Sequence, residues 1–213
     1  MNVKINTHSS ILIEEAGLKF YFDPFKITEK KKDADFIFIT HDHFDHFDKK
    51  SILNIKNENT YIICPNTIVE KVAGVMSGYD RIYVLKAGKT IVHYDEKQKP
   101  IFSVETVASY NVGKKFHKKD AGYLGYILKV NDLSYYVAGD TDITEEAKNV
   151  KCDIALIPIG GTYTMDYKEA AELINIIKPK IAIPTHYGSI VGTSDMAEKF
   201  KELVETEIEV DCI

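Results

Sequence analysis

Residues 35–46 constrain this chain more than any others: an apolar and aromatic run, Asp35-Phe36-Ile37-Phe38-Ile39-Thr40, stops at His41-Asp42-His43-Phe44-Asp45-His46. The run has the length and the aromatic and β-branched content of a buried strand. Histidines and carboxylates gathered at its end make a poor core by themselves, because a buried polar group without a partner costs free energy. The strand end therefore reads as opening onto a site that uses them, as sheet proteins do in the loops leaving their strands. In extended backbone His41 and His43 point the same way, and a turn after them swings Asp45 and His46 toward a neighbouring point. One short loop can then feed two adjacent metal ions. Neutral imidazole and carboxylate suit zinc, and also iron or manganese. The bland alternative is a solvated, histidine-rich surface loop.

The rest of the first half is rich in short strands. Ser10 to Glu14 and Lys19 to Asp23 flank a turn at Ala16-Gly17, and further strands are expected at Tyr61 to Cys64, Arg81 to Leu85, Thr90 to Tyr94, Ile101 to Val107 and Gly122 to Val130. Asn131-Asp132 turns the chain into Ser134 to Ala138. The second half alternates strand and helix: Ile154 to Pro158 precedes a segment from Tyr167 in which Ala170, Leu173, Ile174 and Ile177 recur at helical spacing. Asp166 stands at the N-cap with Glu169 three residues on, and Pro179 ends the helix. Ile181 to Pro184 is another strand, and Asp195 with Glu198 opens a last helix running to about Val204. With no repeat, low-complexity tract or linker, a single domain over residues 1–213 is expected, its sheets stacked and its helices outside.

Two of these strand ends carry further donors. Asp140 follows the apolar run Tyr135 to Ala138, where a carboxylate can bridge two cations; a turn aspartate is the ordinary alternative. His186 follows Ile181-Ala182-Ile183-Pro184-Thr185 and precedes Tyr187-Gly188.

At 213 residues the chain can bury a substantial core without disulfides. Its formal net charge of -5 argues against a broad nucleic-acid surface, which needs basic residues to meet phosphates. Cys64, Cys152 and Cys212 lie far apart in an odd number and read as reduced, structural thiols. The N-terminus lacks a signal pattern, and no apolar run reaches the roughly 18 residues of a membrane span. A soluble protein of the reducing cytoplasm, with no membrane partner, is expected.

The motif at 41–46, the later Gly139-Asp140-Thr141-Asp142 and the final Pro184-Thr185-His186-Tyr187-Gly188 occur in the order of the metallo-β-lactamase superfamily, which the chain resembles over nearly its whole length. Within it, His8-Ser9-Ser10, Asp23-Pro24-Phe25, the stretch from Pro158 to Asp166 and His186-Tyr187-Gly188 look like the small lactonase-like branch, which includes an ascorbate-phosphate lactonase and other metal-dependent hydrolases. The resemblance implies an α+β fold, a four-layer αββα sandwich of two mixed β-sheets with the site at one edge. It makes His41 and His43 ligands of one metal, Asp45, His46 and His186 ligands of the other, and Asp140 a bridge. One or two divalent ions, zinc or manganese first and iron third, are the implied cofactors. His8 and Asp23 resemble residues that line the pocket and orient ligands; a strand-end turn is the ordinary reading of Asp23.

The family usually adds one more histidine before the Gly-Asp segment, and here the sequence departs from it. Ala108-Ser109-Tyr110-Asn111 stands about where that histidine is expected, so Asn111 can occupy the position, and an amide oxygen there would lean the ion toward manganese. His117 is the only nearby histidine and reads equally as ligand, substrate contact or surface residue. His93 matches no motif.

The implied chemistry is hydrolysis by a metal-activated water, with Asp45 orienting or deprotonating the nucleophile, since no serine or cysteine has an evident base beside it. Lysines 114, 115, 118 and 119 flank His117 and point to a small anionic substrate, an ester, lactone or phosphodiester; a solvated loop is the commoner meaning of such a run. A nuclease-type phosphodiesterase and a non-catalytic metal-binding or sensing domain are the competing classes. Nucleic acid is not an expected partner, and homo-oligomerisation is left open.

Overall fold

In the computed structural model, which describes residues 2–213, the chain divides into two units, one reaching to Lys86 and the other spanning Ala87–Ile213. The first unit runs β1 (Val3–Thr7), β2 (Ser10–Glu15), β3 (Leu18–Phe22), β4 (Ala34–Phe38), α1 (Lys49–Ile55), β5 (Lys56–Pro65), α2 (Val69–Met76) and β6 (Ile82–Leu85). These strands form one six-stranded sheet in sequence order. β1, β2 and β3 pair antiparallel, whereas β3 through β6 pair parallel. The β2–β3 hairpin turns on Ala16 and Gly17, both with left-handed backbone (φ 54° and 77°), the geometry that matches the twist of paired strands. The middle strands are buried on both faces, which is why β4 reads as a continuous apolar run. One core cluster joins Ile37, Ile39 and Ile62 to Ile52 and Ile55 of α1 and Val72 and Val75 of α2.

The second unit runs β7 (Thr90–Tyr94), β8 (Pro100–Ala108), β9 (Leu124–Val130), β10 (Leu133–Val137), α3 (Glu145–Lys148), β11 (Ile154–Pro158), α4 (Tyr167–Ile177), β12 (Ile181–Thr185), α5 (Met196–Leu203) and β13 (Glu209–Val210). Its seven-stranded sheet has the order β13-β12-β11-β10-β9-β8-β7. β7 to β10 are antiparallel and β10 to β13 parallel. The apolar stripe Ala170, Leu173, Ile174 and Ile177 of α4 packs with Phe200 of α5 and with Ala155 and Ile157 of the wholly buried β11. The capping box at Asp166 and Glu169 is formed.

The α+β class and the two mixed sheets are those expected. Several elements escaped the sequence reading: β1, α1, α2, α3 and β13 were not anticipated, and the strand expected at Tyr61 to Cys64 begins at Lys56. α1 is only seven residues, too short for a clear period, and its start is fixed by Asp48, whose side chain accepts from Lys50 N. The strand expected from Gly122 begins at Leu124, because Gly122 closes a tight turn with φ +67°. Among the described residues no helix is long and apolar enough to cross a membrane.

Candidate metal centre

In each sheet the candidate donors lie past the carboxyl ends of strands, the end where open sheets with parallel strands bind ligands. In the first unit, Asp23 follows β3, His41 to His46 follow β4, and His8 sits in the β1–β2 connection. In the second, Asn111 and His117 follow β8, Asp140 follows β10 and His186 follows β12. His8, Asp23, His117 and His186 all hold left-handed backbone, with φ between 43° and 58°. That region is sparsely populated by residues other than glycine, and strain of this kind concentrates at functional sites.

Within the first unit, the chain leaving β4 closes a turn in which His46 N and Phe47 N both reach His43 O, at 3.0 and 2.8 Å. The turn brings ligand atoms of His8, Asp45 and His46 within 4.8 Å of one another, and it holds one such atom each from His41 and His43 within the same distance. Asp45 Oδ2 lies 3.2 Å from His8 Nε2 and 3.7 Å from His46 Nε2. Behind these, Asp23 is 1% exposed. Its Oδ1 accepts from Thr40 N at 2.8 Å, and its Oδ2 accepts from Thr40 Oγ1 at 2.6 Å and faces His46 Nδ1 at 2.7 Å. Because the Thr40 hydroxyl donates its proton to Asp23, its oxygen is left to accept from His41 Nδ1, 2.9 Å away. One carboxylate therefore assigns the Nδ1–H tautomer to both His41 and His46 and leaves Nε2 of each with the lone pair that a metal requires. Burial pushes the Asp23 carboxyl up, while His46 and the Thr40 hydrogen bonds pull it down. Thr40 was the residue that sequence reasoning missed; its only signal was its place directly before His41.

Within the second unit, Asp140 carries one imidazole on each oxygen: His117 Nε2 is 3.2 Å from Oδ2 and His186 Nε2 is 3.2 Å from Oδ1. All three side chains are buried. Ser109 Oγ donates to Asp140 O and Thr141 Oγ1 to Tyr110 O, tying the β10 loop to the β8 loop. His117 is thus not a surface residue. Asn111 stands behind it: its backbone N donates to His117 O at 2.7 Å, and its Nδ2 donates to Tyr163 O at 2.7 Å and lies 3.3 Å from His117 Nδ1. Asn111 Oδ1 is buried and accepts no hydrogen bond from the protein, so this unit holds a polar atom that a ligand can satisfy. His186 is held from the other side by Gly160, whose added Cβ would come 2.1 Å from His186 O.

The flanking lysines are partly neutralised. Lys114 Nζ pairs with Asp142 Oδ1 at 2.6 Å and Lys119 Nζ with Glu146 Oε1 at 2.6 Å. His93 lies on β7, stacked on Phe102 with centroids 5.2 Å apart, and takes no part in either donor cluster.

Buried imidazoles, those of His41 and His46 held in one tautomer, with buried carboxylates beside them and a buried oxygen atom left over, are a donor set that fits a borderline divalent cation. The pattern described as "Beta-lactamase superfamily domain" matches residues 2–186. The "UPF0173 protein" of Pyrococcus abyssi is 30% identical over 198 residues, covering 91% of this chain and 86% of the relative. The "UPF0173 metal-dependent hydrolase" of Carboxydothermus hydrogenoformans is 31% identical over 205 residues, covering 89% and 85%. Among solved structures, Igni18, a metallo hydrolase from Ignicoccus hospitalis, superposes with a TM-score of 0.77 at 21% identity, covering 99% of this chain and 94% of its own, a likeness of fold. By its sequence and its fold, the chain belongs to the metallo-β-lactamase superfamily and, within it, to the UPF0173 family of metal-dependent hydrolases.

Proposed function

We propose that this chain is a metal-dependent hydrolase that opens an ester, lactone or phosphodiester bond in a small molecule, working as one domain over residues 1–213. His41 and His43 would hold one ion and Asp45, His46 and His186 a second, with Asp140 contributing to both. His117 takes the position of the additional family histidine, and Asn111 braces it; this assignment rests on His117 Nε2 lying 3.2 Å from Asp140 Oδ2 while the Asn111 amide donates to Tyr163 O. With imidazole rather than amide oxygen there, the donor chemistry favours zinc over manganese. Bound divalent ions supply an acidified water and an electrophilic contact for the substrate oxygen.

The chain's own residues do the rest. Asp23 and Thr40 hold the His41 and His46 rings, and His8 orients Asp45, which is 7% exposed and takes the proton of the attacking water before passing it to the leaving group. A cysteine nucleophile is disfavoured, because burial pushes the Cys64 and Cys152 thiols up to about 12. The observation that carries this reading is the buried Asp140 carboxylate with a histidine on each oxygen, a pairing with little purpose in an apolar core. In metal-replete protein, Asp45→Ala and His46→Ala should each abolish turnover on a panel of esters, lactones and phosphodiesters; activity near wild type in either would reject the assignment.

A further inference from the structure

The loop from β8 to β9 places large apolar side chains in solvent beside the buried donors. Val112, next to Asn111, is 60% exposed, and Phe116, next to His117, is 45% exposed. Scattered exposed apolar residues are ordinary, but these two share one short loop, and a third ring from the segment between β11 and α4 packs against it. Tyr163 packs edge-to-face on Phe116 with centroids 5.2 Å apart, and its carbonyl holds Asn111. The loop is pinned: Asn111 N donates to His117 O, Val112 N donates to Asp142 Oδ2 at 2.9 Å, and Gly113 takes φ +71°. A fixed apolar surface gains more from covering a ligand than a mobile one, since less ordering entropy is lost.

Two of the charges beside it, Lys114 and Lys119, are committed elsewhere. Lys114 is held by Asp142 and by Thr164 O at 2.8 Å, and Lys119 by Glu146. Lys115 Nζ stands over the Phe116 ring at 5.8 Å. An anion arriving here would find Lys114 and Lys119 already paired with carboxylates and Lys115 over the Phe116 ring, whereas an alkyl or aryl group would meet Val112, Phe116 and Tyr163. We propose that these three residues form an apolar seat for the non-reacting part of the substrate, so that the preferred class is an uncharged ester or lactone bearing an alkyl or aryl group. The bond cleaved rests on the hydrolase reading; the seat does not.

The chain contains no tryptophan, so Phe116→Trp creates a single reporter at the seat. In metal-loaded protein its emission should move to shorter wavelength on titration with the uncharged 4-phenylbutanamide and stay unmoved by inorganic phosphate at the same concentrations. Separately, Phe116→Ser should lower the preference for 4-nitrophenyl butyrate over 4-nitrophenyl acetate by about tenfold in kcat/KM, with Phe116→Leu keeping it. A reporter silent to phenylbutanamide, or one that answers phosphate first, overturns the seat. So does turnover of both esters with an unchanged preference in Phe116→Ser, which leaves the hydrolase reading intact. A reporter that titrates with phenylbutanamide in protein hydrolysing neither ester keeps the seat and removes ester cleavage from the hydrolase reading.

Discussion

Asp23 Oδ2 lies 2.7 Å from His46 Nδ1, and through the Thr40 hydroxyl the same oxygen reaches His41 Nδ1. Two candidate ligands on one loop thus take their tautomer from one buried carboxylate on the neighbouring strand. Asp23→Asn keeps the size but removes the charge and turns half of the acceptor into a donor, so the two rings lose their common reference. Metal affinity should fall by about 10- to 100-fold, with Thr40→Val giving a smaller loss through His41 alone. Competition against a chromophoric chelator measures both; equal affinity in Asp23→Asn and wild type would remove the orienting role.

How much of this was legible beforehand varies with the physics. Residues 41–46 are contiguous, so a single loop announces its own chemistry, and the box at Asp166 and Glu169 is a local rule read directly from spacing. Asp140 and His186 stood out by their place at strand ends, a pattern that sheet topology makes meaningful. Thr40 and the bracing of His117 by Asn111 were hidden, because they depend on which strand lies beside which and on where a turn of six residues returns. Left-handed backbone at His8 and His186 was equally hidden, since histidine gives no hint of it. The helices α1 and α2 went unread for want of length: seven and eight residues carry too few turns for a period to rise above noise.

Asn111 and His117 are separable by experiment. If His117 is the donor and Asn111 its brace, His117→Ala should lower the bound metal per chain, and Asn111→Ala should weaken binding without changing the number at saturation. Elemental analysis of metal-saturated, desalted protein reads the difference. The opposite order of effects would return Asn111 to the ligand position.

Away from the site, Asp153 ties β10 to β12: its Oδ2 accepts from Ser134 N at 2.9 Å and from Ser134 Oγ at 2.6 Å, and its Oδ1 meets Lys180 Nζ at 2.7 Å. Lys180 and the Ser134 hydrogen bonds hold its carboxyl below the usual carboxylate range. A depressed folded value means that the stabilisation is complete above the unfolded carboxyl value, about 3.9, and is lost as the pH falls through the folded one. Asp153→Asn should therefore cost about 1 kcal/mol in urea unfolding at pH 7, with the gap to wild type narrowing below about pH 4. A gap that does not change with pH would assign the effect to packing.

Gly160 offers the sharpest test of how the fold holds a donor. A methyl group there would stand 2.1 Å from His186 O and 2.7 Å from Val191 Cγ2. The valine tip can rotate away, but the carbonyl belongs to backbone already held in the left-handed region at φ 58°. Relief must therefore come from moving the His186 backbone, and with it the ring 3.2 Å from Asp140 Oδ1. Gly160→Ala should cost about 1 to 3 kcal/mol of stability, the usual range for overpacking. Metal affinity should fall with it. Gly74→Ala, inside α2 with nothing within 4 Å of the new methyl, should instead gain about 0.5 to 1 kcal/mol and leave metal binding untouched. Thermal melts with and without added zinc separate the outcomes: if the zinc-induced rise in Tm is as large in Gly160→Ala as in wild type, the displaced carbonyl has not carried His186 away from Asp140, and the glycine serves packing alone.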